Sequence, residues 1–251
     1  MKISIITVTY NNASVIIDCL ESVKSQKYNN IEHIIIDGRS TDETLSILKS
    51  RRKQLSVMLS EADKGIYDAM NKGIKLATGE IIGFLNSDDF YSSNEVLLKV
   101  ANTFKNERQL DSCYADLIYT DRVDTSKKIR YLKSSKYKQG LFSKGWCPGH
   151  TTFFVRRSIY ERYGNFDLNF RLASDFDLMM RFLEIHKIKS RYVPEIWVKM
   201  RLGGATNKNL KNIYLQNKEI LNSFRKNDVK VNVIFFFIYK IISRFKQFFN
   251  N

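Results

Sequence analysis

A chain of 251 residues, 43% hydrophobic and 27% charged, is long enough to bury a sizeable core and lacks the composition of a disordered segment. Its net charge of +15 points to an anionic partner: nucleic acid, a phosphate-bearing ligand or an anionic membrane face. Cys19, Cys113 and Cys147 form no CxxC and suggest a reducing compartment, while the scattered His33, His150 and His186 give a zinc site no support. The opening MKISIITVTY is not the cationic and apolar pattern of a signal peptide, so the expected location is cytoplasmic, or on the cytosolic face of a membrane.

Taken in order, Ile3–Val8 reads as a first strand, broken by the polar turn Thr9–Asn12. Ser14–Gln26 carries Ile16, Cys19, Leu20 and Val23 at the spacing of one buried helix face. Ile31–Ile36 is a second strand, after which Ser40 with Glu43 forms the pattern of a capping box opening a helix to about Arg51. Leu55–Leu59 is a third strand, followed by a helix over Tyr67–Ala77, and Ile81–Leu85 is a fourth strand. Strand and helix alternate through Met1–Ala101 with short connections, which predicts a parallel sheet flanked by helices.

Parallel strands end on one edge, where open α/β sheets bind ligands. Four successive strand ends carry polar groups: Thr9/Tyr10/Asn11, Asp37, Glu61/Asp63 and Asp88/Asp89. The last lie in Asn86-Ser87-Asp88-Asp89, which reads either as a solvated turn and helix cap or as a cation site. Adjacent carboxylates repel unless a cation lies between them, and hard oxygen ligands suit Mg²⁺ or Mn²⁺. Neither GxGxxG nor GxxxxGK[ST] occurs, so a dinucleotide fingerprint and a P-loop are unsupported.

Beyond Ala101 the pattern changes. Ser112–Thr120 and Lys128–Leu132 read as strands around a polar turn, Ser134–Gly149 as a basic mobile loop, and Thr151–Arg157 as a further strand. Within Phe166–Glu184, Ser174 is placed to cap a helix that begins with Asp175, a position the helix dipole favours. Ile196–Leu202 is a last strand running into Gly203–Thr206. From Asn207 the tail holds nine Lys/Arg against Glu219 and Asp228, and its apolar residues from Val231 to Phe249 fall at helical spacing. Its longest apolar run, Val233–Tyr239, is too short to span a bilayer. With Lys240, Arg244 and Lys246 on the less apolar side, the segment reads as a helix resting on an anionic membrane surface, the alternative being a helix packed on the domain.

Five segments together resemble the family 2 nucleotide-sugar glycosyltransferases of GT-A fold: ITVTYN (6–11), IDGRSTDET (36–44), SEADKGIYDAMNKG (60–73), ATGEIIGFLNSDD (77–89) and Phe166–Arg181. The resemblance covers Met1 to about Thr206, with 1–101 as the nucleotide-binding half, 102–206 as the acceptor half and 207–251 as a separate helical segment. It is strongest to bacterial enzymes extending O-antigen, capsule or colanic-acid repeat units on a lipid carrier. It implies an inverting, non-processive hexosyl transfer from a UDP-sugar to a saccharide on a polyprenyl-pyrophosphate lipid, on the inner face of the cell membrane. No QxxRW motif of the processive synthases is present.

The resemblance also implies roles. Thr9, Tyr10 and Asp37 would hold the nucleotide, with Asp37 accepting from the uracil imide, and Asp63, Asn71 and Asn86 would complete the donor wall. Asp88 and Asp89 correspond to the Mn²⁺ or Mg²⁺ motif, whose usual first aspartate is Asn86 here. Asp175 matches the catalytic base, with Asp177 second to it. His150 would reach the diphosphate or the acceptor, unless it is structural. A nucleotidyltransferase of similar architecture and a basic nucleic-acid-binding module are the rival readings, and nucleic acid is not the expected partner.

Overall fold

Apolar runs rich in Ile and Val suit strands covered on both faces. The computed structural model, which describes residues 1–203 and 209–249, places four of them side by side: β1 (Ile3–Thr9), β2 (Ile31–Asp37), β3 (Val57–Ser60) and β4 (Ile81–Phe84). β1 is buried along its whole length and pairs in parallel with β2 and β4, while β2 pairs in parallel with β3. The crossovers carry α1 (Ile16–Lys24), α2 (Thr44–Ser50) and α3 (Ile66–Leu76), and α4 (Val96–Asn106) follows. Alternate residues of β1 enter opposite cores: Ile6 and Val8 meet the α3 residues Met70 and Ile74, while Ile3 and Ile5 meet Cys19 and Val23 of α1. The parallel register sets Thr9 opposite Asp37 and Asp37 opposite Ser60, so the polar strand ends do share one edge.

The second half adds β5 (Phe90–Tyr91), β6 (Ser112–Thr120), β7 (Lys128–Leu132), β8 (Phe154–Arg156) and β9 (Ser190–Arg201). The nine strands form one mixed sheet in the order β3-β2-β1-β4-β8-β6-β9-β5, with β7 on β6. β7 and β8 run antiparallel to β6, whereas β9 runs parallel to it. Helices α5 (Arg157–Tyr163) and α6 (Ser174–Met180) follow β8, and α6 continues into one wider turn over Arg181–Ile185.

Three local expectations are corrected. The segment Ser134–Gly149 is anchored: Phe142 is fully buried and packs edge-on to Trp146 and Phe176, and the Tyr137 hydroxyl donates to Glu184. Its polar residues hid three aromatic anchors. Neither expected serine cap forms. Ser40 turns back to donate to Asp37 at 2.5 Å, and the buried Ser174 hydroxyl caps nothing. The expected strand Thr151–Arg157 is a single 3-10 turn followed by the short β8.

The tail forms α7 (Leu210–Lys226) and α8 (Val233–Phe249). Ile220 and Phe224 of α7 and Phe236 of α8 are buried in the same core as α3 and α6, so the tail is not a separate unit. On α8 one cation departs from the expected polarity, while Arg244 and Lys246 are exposed. Lys240 turns inward, its Nζ 2.6 Å from Asn217 of α7, and Arg244 lines a cavity against β7. The outer surface is apolar, with Ile234 72%, Phe235 57%, Ile241 56% and Phe245 64% exposed. Residues 204–208, which include the expected boundary at Thr206 and the basic Lys208, lie outside the described residues, as do 250–251 and the Phe249 side chain. No helix among the described residues is long and apolar enough to cross a membrane.

At the opposite edge of the sheet, Glu32 ties three elements together. It accepts from Lys2 at 2.7 Å, from Ser4 at 2.5 Å, and from the Thr78 amide and hydroxyl at 2.8 and 2.6 Å. Burial works against its charge, but these donors outweigh it and bring the carboxyl from 4.5 down to about 2. A carboxyl depressed on folding stabilises fully above its unfolded value and loses that contribution as pH falls from about 4.5 towards 2. Glu32→Gln should therefore lower the unfolding free energy by about 2 kcal/mol at neutral pH, with the gap from wild type closing through that acid range. Denaturant titrations at pH 7, 4 and 3 measure the gap, and a constant difference would contradict the assignment.

Candidate active site

The ends of β1 and β2 build one wall. Asp37, fully buried, accepts from the Ser40 amide at 3.1 Å and from the Ser60 hydroxyl at 2.6 Å. Asn11, in the left-handed region at φ 51°, accepts from the Thr41 amide at 2.8 Å and so clips the two strand ends together. A Cβ on Gly38 would stand 2.5 Å from the Asp63 carboxylate and 3.5 Å from the Tyr10 ring, so a side chain here would push the Asp63 carboxylate out of its present place. Tyr10 is 59% exposed, which leaves its ring free to cover a flat ligand. Thr9 Oγ1 is buried without a hydrogen-bond partner, the condition of a group awaiting a ligand. Thr9, Tyr10, Asp37 and Asp63 are thus brought together.

The turn after β4 forms the floor. Its Ser87 hydroxyl lies 2.8 Å from the Asn12 amide nitrogen, which fixes the turn against the start of α1. Asp89 is buried, accepting from the Asn86 amide at 3.2 Å and from the Arg201 backbone at 3.2 Å. Burial and then the Asp88 charge push its carboxyl well above the usual range. Asp88 is half-buried, and the Asn86 Oδ1 is buried without a partner. Oxygen donors of this kind beside a pair of like charges fit a hard divalent cation, with Asp88 the more available ligand. Among the described residues no group of three or more His, Cys, Asp or Glu could enclose a metal, so water and ligand phosphate would have to supply the remaining positions.

A third group comes from the second half of the chain. Asp175, at the start of α6, accepts from the Tyr67 hydroxyl and from the Phe176 amide with one oxygen, both at 2.9 Å. Its other oxygen faces His150 Nδ1 at 3.5 Å, and His150 Nε2 lies 3.1 Å from the Asn86 side chain. Asn86, His150 and Asp175 therefore form a row from the floor to a carboxylate with one oxygen fixed and one open. Burial, and then the Asp175 charge, push the Tyr67 hydroxyl up, so it remains a proton donor.

Two expected site residues lie elsewhere. Asn71 makes paired hydrogen bonds with the Phe166 backbone, at 2.9 and 3.0 Å, and so belongs to the scaffold that sets Phe166 against Tyr67 and Phe84. Asp177 is buried and bound to Arg181, Ser223 and Asn227, facing α7 rather than the crevice. Three residues escaped the sequence reading. Tyr67 sits inside the Asp63–Gly73 run but had no assigned role. Arg201 was, with Lys199, one of two cations in the otherwise apolar expected strand Ile196–Leu202; it bonds the Asp88 carbonyl at 2.8 Å and the Asp18 carboxylate. Glu219 carried no local signal, yet it accepts from the amides of Arg171, Leu172 and Ala173 at 3.0, 2.7 and 3.0 Å, immediately before Asp175.

A crevice with this layout on this sheet is that of a GT-A glycosyltransferase. The comparisons agree. The model of Glycosyl transferase family 2 matches residues 4–164, and the chain belongs to that family. A PGL/p-HBAD biosynthesis glycosyltransferase of Mycobacterium bovis is 34% identical over 193 residues, covering 76% of this chain and 73% of the relative. S. aureus TarS 1-349, solved in complex with UDP-GlcNAc, superposes with a TM-score of 0.65 at 20% identity, over 92% of this chain and 68% of that one. Of a longer TarS chain, this protein covers 41%. The mannosyltransferase PcManGT of Pyrobaculum calidifontis, solved with GDP-Man and Mn²⁺, gives 0.65 at 18% identity, over 96% and 69% of the two chains.

Glu219→Ala should remove three charge-assisted hydrogen bonds from the backbone ahead of Asp175 and cost about 2–3 kcal/mol, measured by denaturant unfolding, with Glu219→Gln recovering part of it. An unchanged midpoint in the alanine variant would show that the clamp carries nothing. Tyr67→Phe should leave nucleotide affinity intact and lower turnover about tenfold through looser placement of the base, read as kcat against donor Kd.

Proposed function

We propose that the protein transfers a sugar, with inversion, from a UDP-sugar to a saccharide on a polyprenyl-pyrophosphate lipid, in bacterial surface-polysaccharide assembly of the O-antigen or capsule kind. The observation that carries the reading is Asp175: one oxygen is held by Tyr67 and the Phe176 amide, while the other opens towards His150 and the Asn86–Asp89 turn. A base so placed takes the proton of an acceptor hydroxyl as that oxygen attacks the anomeric carbon. The bond from that carbon to the diphosphate oxygen breaks, its electron pair leaving with the nucleoside diphosphate. His150, between Asn86 and Asp175, is positioned to hydrogen-bond the departing diphosphate or the incoming hydroxyl.

Mn²⁺ or Mg²⁺ on Asp88, with Asp89 and the Asn86 amide beside it, would supply Lewis-acid stabilisation of the leaving diphosphate. The Mn²⁺ of the PcManGT complex supports this assignment, and the UDP-GlcNAc of the TarS complex supports a uridine carrier. In the uridine site, Asp37 would accept from the base imide, Thr9 Oγ1 would find its partner, and Tyr10 would cover the ring. Domain roles follow: 1–101 holds the nucleotide, 102–206 presents the base and the acceptor surface, and 207–251 meets an anionic membrane on its cytoplasmic side. The outward apolar surface of α8 supports that last assignment.

Calorimetric titration of UDP, with and without Mn²⁺, tests the donor site. Wild type should bind in a metal-dependent way, and Asp88→Ala should lose at least tenfold in affinity with Mn²⁺ present. Equal binding without metal would remove Asp88 from the metal site. Cosedimentation with vesicles containing anionic lipid tests the membrane reading: replacing Ile234, Phe235 and Phe245 together by Ser should cut binding about tenfold or more.

A further inference from the structure

Between Thr125 and His150 the chain holds six lysines and one arginine, with no aspartate or glutamate. Lys133, Lys136, Lys138 and Lys144 of this stretch are exposed. The ion pairs of the described surface join acids to other cations, as in Lys27 with Glu95, Lys99 with Glu195 and Arg157 with Glu161. Two carboxylates do touch the stretch, and among the described residues neither serves its lysines. Asp116 accepts from the Ser134 amide at 2.7 Å and from the Tyr131 hydroxyl at 2.5 Å. Glu184 accepts from the Gly140 amide at 2.9 Å and from the Tyr137 hydroxyl at 2.5 Å. The backbone between the lysines is thus pinned, while their charges face water.

The pinned stretch lies on the same side of the sheet as α8. Tyr137, Phe142 and Trp146 pack with Phe236 of α8 in one core, whereas α1, α2 and α4 pack into cores on the other side. The stretch and the helix meet at Gly145, in the left-handed region at φ 71°. A Cβ added there would stand 3.1 Å from the Lys240 Cβ and 3.3 Å from the Lys240 backbone, which puts Lys144 one residue from the contact. On α8, Ile234, Ile238, Ile241 and Phe245 recur at helical spacing and form one exposed stripe opposite the buried Phe236. An apolar stripe beside cations that lack counterions is the pattern of a surface resting in an anionic interface. Nucleic acid would engage the cations alone and leave the stripe in water, whereas a bilayer takes both.

We propose that Lys133, Lys136, Lys138 and Lys144 are the headgroup contact of a membrane-docking surface whose apolar part is the α8 stripe, the lipid being an anionic phospholipid. The inference rests on the membrane reading of residues 207–251 and deepens it by placing the headgroup contact outside that tail. Within the tail, Lys226 is paired with Asp167 and Lys240 is turned to Asn217. The stretch runs on from Lys144 through Trp146 to His150, whose Nδ1 faces Asp175, so docking would bring the base's side of the crevice to the bilayer. An acceptor anchored in that bilayer would then reach Asp175 without leaving it.

Cosedimentation of the full chain with phosphatidylcholine vesicles, with and without phosphatidylglycerol, reads the charged and apolar parts separately. The combined variant Lys133→Gln, Lys136→Gln, Lys138→Gln and Lys144→Gln should bind phosphatidylglycerol vesicles about tenfold more weakly or worse, with a flatter salt dependence. Its weaker binding to pure phosphatidylcholine and its UDP affinity should match wild type. Lys24, Lys49, Lys53 and Lys105 are exposed on the other side of the sheet and provide a charge-matched control. Replacing those four by Gln should cost about threefold or less.

Equal losses in the two variants would make net charge, and not this surface, the cause and would overturn the proposal. Undiminished phosphatidylglycerol binding in the first variant would overturn it too, while a loss in the Ile234→Ser, Phe235→Ser, Phe245→Ser variant would leave the membrane reading standing. No vesicle binding by wild type would defeat both. Tighter binding of wild type to random duplex DNA than to vesicles, lost in the first variant, would give the surface to nucleic acid and sink the proposal as well.

Discussion

The hydrogen bond from Tyr67 to Asp175 joins side chains 108 residues apart, and the geometry of the site hangs on it. Tyr67 belongs to the parallel half and Asp175 to the mixed half, so the bond fixes the base relative to the strand ends. A single hydrogen bond contributes only about 1–2 kcal/mol and cannot hold such a position alone. Neighbouring contacts share the task. Asn71 pins Phe166 beneath Tyr67, Glu219 clamps the three amides before Ser174, and Asp177 ties α6 to α7. Both carboxylates that serve α6 in this way are buried and spent on donors, which leaves Asp175 as the carboxylate of its segment with an open oxygen.

This arrangement explains a charge pattern that the net charge conceals. A protein of +15 keeps a concentration of acid at its crevice, where Asp37, Asp63, Asp88 and Asp89 gather at the strand ends. Such a crevice would repel a nucleoside diphosphate unless cations intervened. Arg201 supplies one fixed cation at the back, bonded to the Asp88 carbonyl and Asp18. A divalent ion in front of Asp88 would supply the other, which is how acidic residues come to recognise an anionic donor. The net charge itself acts at longer range, as a field that draws anionic ligands.

What was legible in the sequence depended on how local its cause was. The strands β1 to β4 and their polar ends follow from apolar runs stopped by turn residues, and the parallel sheet follows from alternation with helices. The failures came where a tertiary partner outbid a local one. Ser40 satisfies Asp37 rather than a helix end, because a buried carboxylate is a stronger acceptor to serve than an exposed amide is a donor to cap. Asn71 and Asp177 have the residue types of a site and are consumed by backbone and α7 partners that no spacing rule reveals. Glu219 looked like a stray acid in a basic tail, since the amides it serves lie 46 to 48 residues earlier.

On α8 the departure from expectation is confined to Lys240. A helix that rests on anionic lipid commonly keeps its cations at the water-facing flank and buries its apolar side in the interface. Here Phe236 and the inward Lys240 hold the helix to the domain, and the apolar residues are left facing out. Packing on the domain and presenting an apolar surface are therefore compatible, where the sequence set them as alternatives. The cost of drawing cations inward is desolvation, visible in Lys240 falling to about 8 and in the partnerless Nε of Arg130. Simple packing would have been cheaper with leucine or methionine at these positions. Lys240, retained there at that cost, gives α8 a directional contact with Asn217 of α7, which fixes how the helix is turned on the domain and so which of its residues face outward.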